Sequence, residues 1–265
     1  MPLFAPEFLM ANAYVRKRVR DTWTFFYQAT KGRRFVSKAL GYELLFDTDN
    51  IVDKYVLAFG SYEPEQWRTF SRLIAERAGA FERCVFVDVG AHWGYYTLLA
   101  RSLGTFQRLV AVEADPRTFA QLNANLFLNR LMGEVEAHQC AASDGEGVIH
   151  FALAGDASRV VSQVWSEETF AGMGRTEVQR RTLDSLVDET GAFIALKIDV
   201  EGHETEVLGG AEKLLANNHC LLQIEVFDDA LEAFDAAMAR RGYVKITEVG
   251  NDRYYGRAEA ASHRA

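Results

Sequence analysis

Residues 85–97 constrain the fold of this chain more than any other stretch. Val85, Phe86, Val87, Asp88 and Val89 form an apolar run with an acid near its end, and Gly90, Ala91, His92, Trp93 and Gly94 make a glycine-spaced turn into Tyr95, Tyr96 and Thr97. The run predicts a buried strand over 85–89, and the sequence after the turn predicts a helix over 96–103. Gly90 and Gly94 then fall in the crossover, where the backbone can take positive φ and pass close to a ligand. A strand, a glycine turn and a helix in this order belong to an open α/β sheet, which binds ligands at the carboxyl ends of its strands.

Glycine turns also arise for packing alone, so the next element carries weight. Residues 109–113 read as a second apolar strand, ending in Glu113 and followed by Ala114, Asp115 and Pro116. An acid at the end of a second strand can accept both hydroxyls of a ribose. The turn lacks the G-x-G-x-x-G order of a dinucleotide site, because His92 stands where the middle glycine would let the backbone approach a pyrophosphate. The chain also holds no G-x-x-x-x-G-K-[ST] phosphate loop. This spacing suits an adenosine-bearing ligand with no phosphate to cradle, and so favours the methyl donor S-adenosylmethionine over NAD or ATP.

A third strand end carries the densest chemistry. Leu196, Ile198 and Val200 alternate with Lys197, Asp199 and Glu201, which projects the three charged side chains to one side near the carboxyl end of a strand over 193–200. Burying a lysine with two carboxylates is costly unless they pair or bind something, so a site is favoured over a structural ion-pair network. Methyl transfer to oxygen needs a hydroxyl held in line with the methyl and a route for its proton. Lys197, Asp199, Glu201 and His203 are therefore the candidate catalytic residues. Glu225, ending the next strand, is another base or oxygen ligand at the same edge. Asp199, Glu201 and Glu225 could hold Mg²⁺, but acids at strand ends do not by themselves establish a divalent metal, and that point stays open.

Together these segments resemble the FkbM family of S-adenosylmethionine-dependent methyltransferases. The similarity is carried by residues 88–97, by Val112 to Pro116, by Thr182-Leu183-Asp184-Ser185-Leu186, and most specifically by Leu196-Lys197-Ile198-Asp199-Val200-Glu201-Gly202-His203-Glu204. Gly60-Ser61-Tyr62-Glu63-Pro64 resembles the segment that precedes the catalytic core in that family. The resemblance implies an α/β Rossmann-like methyltransferase fold, with a mostly parallel seven-stranded sheet, helices on both faces and a closing antiparallel strand. Within such a site Asp88 orients the turn, Gly90, Ala91 and Gly94 pass under the methionine part of the donor, and Glu113 takes the ribose. Ala142 and Asp144, after the third strand, border the adenine, with Asp144 as acceptor for its amino group. Tyr62 and Glu63 close over the methionine end, a role that rests on the resemblance alone.

Alternating strands and helices over 85–141 predict a parallel sheet with right-handed crossovers. The sheet resumes at 193–200, followed by a helix over 205–217, a strand over 220–227, a helix over 230–241, and a terminal hairpin of 243–249 and 253–256. Ahead of it, residues 1–80 read as a mostly helical extension, with helices over 13–28 and 66–78, an α-rich stretch over 35–45 and unclear periodicity over 42–58. The catalytic unit spans 81–257. Within it, residues 146–182 form a β-containing insertion or lid, with a half-solvated strand over 148–153, and 258–265 are expected to be a disordered tail.

With 265 residues, 49% of them hydrophobic, the chain can bury one α/β domain and an extension. A net charge of −8 argues against a nucleic-acid partner. The charge is uneven: Arg16, Lys17, Arg18, Arg20, Lys31, Arg33 and Arg34 face only Glu7 and Asp21 in residues 1–34, a net +5 on a body of −13. Val15, Val19, Trp23 and Phe26 make an apolar stripe on this basic helix. It predicts either contact of 13–28 with an anionic membrane or, as the commoner outcome, packing on the core or across a dimer interface. Cys84, Cys140 and Cys220 have neither metal-ligand nor disulfide-framework spacing and read as reduced core residues. No apolar stretch is long enough for a transmembrane helix or signal core, so a cytoplasmic protein is expected, at most peripheral to the inner face of a membrane. The function expected is O-methylation of a saccharide, glycolipid or secondary metabolite, in which the donor follows from the residues and the acceptor is implied by the resemblance to the FkbM family. The alternatives are an NAD-dependent oxidoreductase and a non-catalytic binding protein on the same fold.

Overall fold

The computed structural model describes residues 12–153, 174–226 and 231–257. The extension comprises α1 (Ala13–Lys31), the hairpin β1 (Arg34–Ala39) and β2 (Tyr42–Asp47), α2 (Ile51–Phe59) and α3 (Pro64–Ala78). The catalytic unit follows as β3 (Cys84–Val89), α4 (Tyr95–Ser102), β4 (Arg108–Glu113), α5 (Pro116–Leu128), β5 (Val135–Gln139), β6 (Ala141–Ala142), β7 (Gly147–Leu153) and β8 (Gly174–Arg181). It closes with α6 (Leu183–Leu186), β9 (Phe193–Ile198), α7 (Glu204–Gly209), α8 (Glu212–Asn217), β10 (His219–Glu225), α9 (Leu231–Arg240), β11 (Tyr243–Val249) and β12 (Asp252–Arg257).

The main sheet has seven strands in the order β11-β12-β10-β9-β3-β4-β5. β5, β4, β3, β9 and β10 pair in parallel, whereas β12 runs antiparallel to both β10 and β11. The closing antiparallel strand therefore stands where the family resemblance put it. Chain order reverses between β3 and β9, and the crevice beyond their carboxyl ends is the switch point at which open α/β sheets bind ligands.

Both faces of the sheet are covered, as near-continuous apolar parallel strands require. On one side Val85, Val87, Ile194, Leu196 and Leu222 pack against Leu183, Val207, Leu214 and Met238. On the other, Phe86, Ala195 and Leu221 pack with Phe70, Leu98 and Leu122 and also with Leu44, Phe46 and Val56 of the extension. The extension thus shares a core with the catalytic unit.

Three expectations are corrected. The stretch 35–45 is a β-hairpin and not α-rich: Phe35, Ser37 and Ala39 alternate with exposed neighbours, and Leu44 and Phe46 alternate inward. Its two-residue turn places both Leu40 (φ 56°) and Gly41 (φ 84°) in the left-handed region that short hairpins need. Leucine is not a residue that announces such a turn. The helix expected over 205–217 is broken into α7 and α8 at Gly210 and Ala211, where the chain passes so close to the backbone carbonyl of Ser143 that a Cβ at Gly210 would collide with it. The third-strand region divides into β5 in the main sheet and β6, which joins β8 and β7 in a separate three-stranded sheet. β7 matches the strand expected over 148–153, and β8 lies in the expected insertion. Residues 154–173 of the insertion or lid expected over 146–182, and the tail expected over 258–265, lie outside the described residues.

Candidate functional site

The ends of β3, β4, β9 and β10 open into a cavity of about 940 Å³ that also reaches α1, β2 and α2. Its floor is built by register. Asp88 on β3 lies beside Lys197 on β9, and Lys197 beside Gln223 on β10. Neighbouring residues across a sheet share a face, so a buried polar row crosses three apolar strands. Thr97 Oγ1 donates to Asp88 Oδ2 (2.6 Å), Lys197 Nζ to Asp199 Oδ2 (2.9 Å), and Gln223 Nε2 to Tyr96 Oη (3.1 Å) and Asp252 Oδ1 (2.7 Å), while Gln223 Oε1 is buried with no hydrogen-bond partner among the described residues. Lys197 Nζ also stands 4.6 Å from the centre of the Tyr96 ring, a cation–π contact.

The electrostatics follow from one buried cation among many acids. Burial pulls the Lys197 ammonium toward deprotonation, but Asp199, Glu63, Asp88 and Asp252 overcome it and raise its pKa. Burial disfavours the Asp199 carboxylate, and Lys197 outweighs that and holds its pKa low. Glu225 is pushed up to about 8, first by burial and then by the charge of Asp199, with which it shares a hydrogen bond. Asp199 and Glu225 therefore hold one proton between them near neutrality. Glu201 joins this group at a positive φ of 55°, is raised to about 7 by burial and by Asp199, and brings a carboxylate oxygen within 4.8 Å of oxygens of both.

Glu113 closes the second strand as expected. Its two oxygens accept from the backbone N–H groups of His92 (2.7 Å) and Asp115 (2.8 Å), and burial raises it to about 7. The Thr118 side chain takes a third of the carboxylate's four or so lone-pair sites, which leaves one for a ribose hydroxyl. Gly90 has φ 78°, and a Cβ there would strike the carbonyl oxygen of Asp199, so the glycine lets β3 and β9 approach each other under the cavity. Ala91 and Ala142 also line the wall. Glu63 reaches the cavity from the extension. It precedes α3 in a left-handed conformation (φ 46°, ψ 52°) and accepts from Tyr96 Oη at 3.0 Å, while Tyr95 Oη clamps the Tyr62 backbone through both its N–H (2.9 Å) and its carbonyl (2.6 Å). Burial pushes Glu63 up to about 7.

Three sequence-predicted residues have other placements. Asp144 is exposed, accepts from Ser143 Oγ (3.2 Å), lies 3.6 Å from Arg180 and is not part of the cavity wall. Close packing of Gly209 against its Cβ accompanies this outward turn. Gly94 is also outside the wall; a Cβ there would lie 2.6 Å from Leu122 Cδ1, so this glycine lets α4 approach α5. His203 lines the cavity, but its Nε2 bonds Ser143 Oγ (3.0 Å) and its Nδ1 lies 3.4 Å from Glu206, so it stands on the β6 side rather than in the carboxylate group. Burial lowers its pKa, keeping it neutral.

Tyr96 and Asn50 line the cavity without having been foreseen there, and Gln223 and Asp252 support Tyr96 from outside its wall. Gln223 shares a strand face with Glu225 by alternation, a signal present in the sequence. Asn50 depended on a loop whose position periodicity does not give. Its side-chain nitrogen lies 2.8 Å from His92 Nε2, and His92 Nδ1 is buried with no hydrogen-bond partner among the described residues. Of the stripe on α1, Val15, Val19 and Trp23 are half-buried and Phe26 is exposed; Tyr27 stacks on Phe35 and Arg20 lies over Tyr55. No described helix is long and apolar enough to cross a membrane.

Residues 88–245 match the methyltransferase FkbM domain. The chain is 26% identical over 155 residues to methyltransferase sdnD of Sordaria araneosa, an alignment that takes 48% of this chain and 60% of that protein, short of two thirds of its length. It is 28% identical over 184 residues to the hexuronic acid methyltransferase AglP of Haloferax volcanii, covering 68% and 72% respectively. Among solved structures, an FkbM methyltransferase from Methylobacillus flagellatus aligns at 18% identity and a TM-score of 0.44, over 91% of this chain and 59% of that one. The METTL16 methyltransferase domain aligns at 12% identity and 0.49, over 92% and 80%. The two structural likenesses carry no argument about function, but the domain match takes in well over half of the chain, from the acid of the first core strand to the terminal hairpin: the chain belongs to the FkbM methyltransferase family.

Proposed function

We propose that this chain moves the methyl group of S-adenosylmethionine to a hydroxyl of a saccharide, glycolipid or secondary metabolite. The observation that carries the reading is the meeting, in one cavity, of a ribose-type acceptor at Glu113 and a charged group centred on Lys197 and Asp199. The residues fit the donor. Glu113 has a lone pair to spare, Gly90 clears the strand end, the partnerless His92 Nδ1 offers a polar contact, and acids line the side where a sulfonium and an ammonium would lie. When bound, the donor supplies an electrophilic methyl whose departure leaves a neutral thioether.

The chain's own groups then manage the acceptor proton. Asp199, kept ionised by Lys197, is the base that accepts it as the O–CH₃ bond forms and the S–CH₃ bond breaks. Glu225 enters the step protonated and hydrogen-bonded to Asp199, so the transferred proton is the second that the pair holds, and Tyr96 and Asp88 hold the Lys197 ammonium in place. Because Lys197 already supplies positive charge beside Asp199, turnover should survive EDTA. Loss in EDTA with recovery in Mg²⁺ would instead make Asp199, Glu201 and Glu225 metal ligands. The sugar-directed part of the reading is supported by the AglP relative, which acts on a hexuronic acid by its printed name. Calorimetry with S-adenosylhomocysteine, followed by mass spectrometry of glycan and lipid extracts incubated with labelled donor, tests it. Failure to bind the donor product, or tight NAD binding in its place, overturns it; donor binding with no labelled product in any extract would favour the non-catalytic alternative.

A further inference from the structure

The cavity wall is divided by charge. Its inner part holds Glu63, Asp88, Glu113, Asp199, Glu201 and Glu225 around one cation, Lys197. Its outer part holds five cations, Arg20, Arg33, Arg34, Lys54 and Arg117, against three carboxylates, Asp47, Asp49 and Asp115. Four of these cations come from the extension, ahead of the catalytic core.

The outer cations are only partly used. Arg33 gives Nη1 to Asp49 (3.2 Å) and Arg34 gives Nε to Asp47 (2.6 Å), and the two side chains are 74% and 72% exposed. A guanidinium carries five N–H donors, so each of these exposed forks keeps donors beyond its carboxylate contact. Lys54 Nζ meets a backbone carbonyl, that of Asp49 (3.4 Å), rather than a carboxylate. Arg20 bonds Asp21, which lies outside the cavity wall, and sits 5.5 Å from the Tyr55 ring; Tyr55 packs at 5.8 Å on Tyr62, next to Glu63. An aromatic contact path therefore joins the outer cations to the end of the cavity where the methyl is transferred. At about 940 Å³ the cavity is near the top of the ~300–1,000 Å³ range of small-molecule sites, leaving room for an acceptor beside the donor.

We propose that Arg20, Arg33, Arg34 and Lys54 form an anion subsite that receives a carboxylate or phosphate carried by the methyl acceptor. The subsite rests on the methyl-transfer reading for its role and orients the acceptor hydroxyl toward Asp199. Bidentate Arg contacts suit planar carboxylates and phosphates alike, so the two sources need separate arms in the test.

Glucuronate, glucose 6-phosphate and glucose should be titrated into the full chain, with and without S-adenosylhomocysteine, and followed by saturation-transfer NMR and calorimetry. At least one anionic sugar should bind about tenfold or more tightly than glucose, with a salt dependence, and the comparison of the two assigns the head group. The double variant Arg33→Gln/Arg34→Gln should lose most of that preference while keeping its melting temperature and its affinity for the donor product. Equal binding of glucose, an unchanged preference in the variant, or no binding of either anion overturns the subsite. Anion binding by a chain that fails to bind the donor product would refute the methyl-transfer reading and leave the subsite standing.

Discussion

In the proposed reaction Asp199 is the base, because Lys197 holds it ionised at 2.9 Å while Glu225 keeps the proton of the pair. Asp199→Asn should cut turnover by about 10²–10⁴-fold with little change in donor affinity, as measured by steady-state kinetics beside calorimetry. His203 separates from that group in space, so His203→Ala should change the donor KM more than kcat; a collapse of kcat would return His203 to the acid–base chemistry. Glu113→Ala should weaken donor-product binding by about 1–3 kcal/mol, since it removes charge-assisted contacts. Lys197, Asp199, Glu201 and Glu113 were legible because strand alternation and strand-end acids are local patterns. Asp144 and Gly94 misled for the same reason: two residues past a strand, or four past a turn glycine, sequence offset does not say which way a side chain or an absent Cβ faces. Neighbouring glycine packing and α5 decide that.

At the scale of elements, the parallel strands, their crossover helices and the helices α1 and α3 of the extension could be read from apolar runs and helical periodicity, and the hairpin and α2 of the extension could not. Its hairpin turns on Leu40 at positive φ, and its half-buried faces give weak alternation. α1 was readable as an amphipathic basic helix, but periodicity marks an apolar stripe without naming what covers it. Val15, Val19 and Trp23 are half-buried, and Arg20 of the same helix lines the cavity. Val19→Ala together with Trp23→Ala should therefore lower the melting temperature, at a cost of about 1–2 kcal/mol per side chain for half-buried apolar surface, and should weaken donor-product binding. A variant of unchanged stability that loses only its affinity for anionic liposomes would show instead that the stripe faces a membrane.

For the molecule as a whole, the excess of acid sets how stability responds to pH. Glu63, Glu113 and Glu201 are raised to about 7 and Glu225 and Asp53 to about 8, in each case first by burial. In the unfolded chain these groups ionise near pH 4–4.5. Between that range and about pH 8 the folded state therefore binds more protons at these groups than the unfolded state. These carboxylates make stability fall with rising pH across this window, by about 1.4 kcal/mol per pH unit for each proton retained, opposed below about pH 6.5 by His92, His138 and His203, whose pKa values burial lowers. Asp199, Glu136 and Glu189 shift the other way, so their contribution is lost only on acidification below the ordinary carboxylate range. The ligand-free protein should thus melt at a higher temperature at pH 6 than at pH 8. A cationic donor compensates the ionised floor, so the rise in melting temperature on adding S-adenosylmethionine should be larger at pH 8 than at pH 6, and larger than that given by its neutral-sulfur product. Glu225→Gln removes one of the late-ionising groups and should flatten the pH slope without raising it elsewhere. Scanning calorimetry at the two pH values, with and without each ligand, checks all three expectations; a melting temperature that rises from pH 6 to pH 8 would mean that the carboxylates of the cavity floor are already ionised in the folded protein.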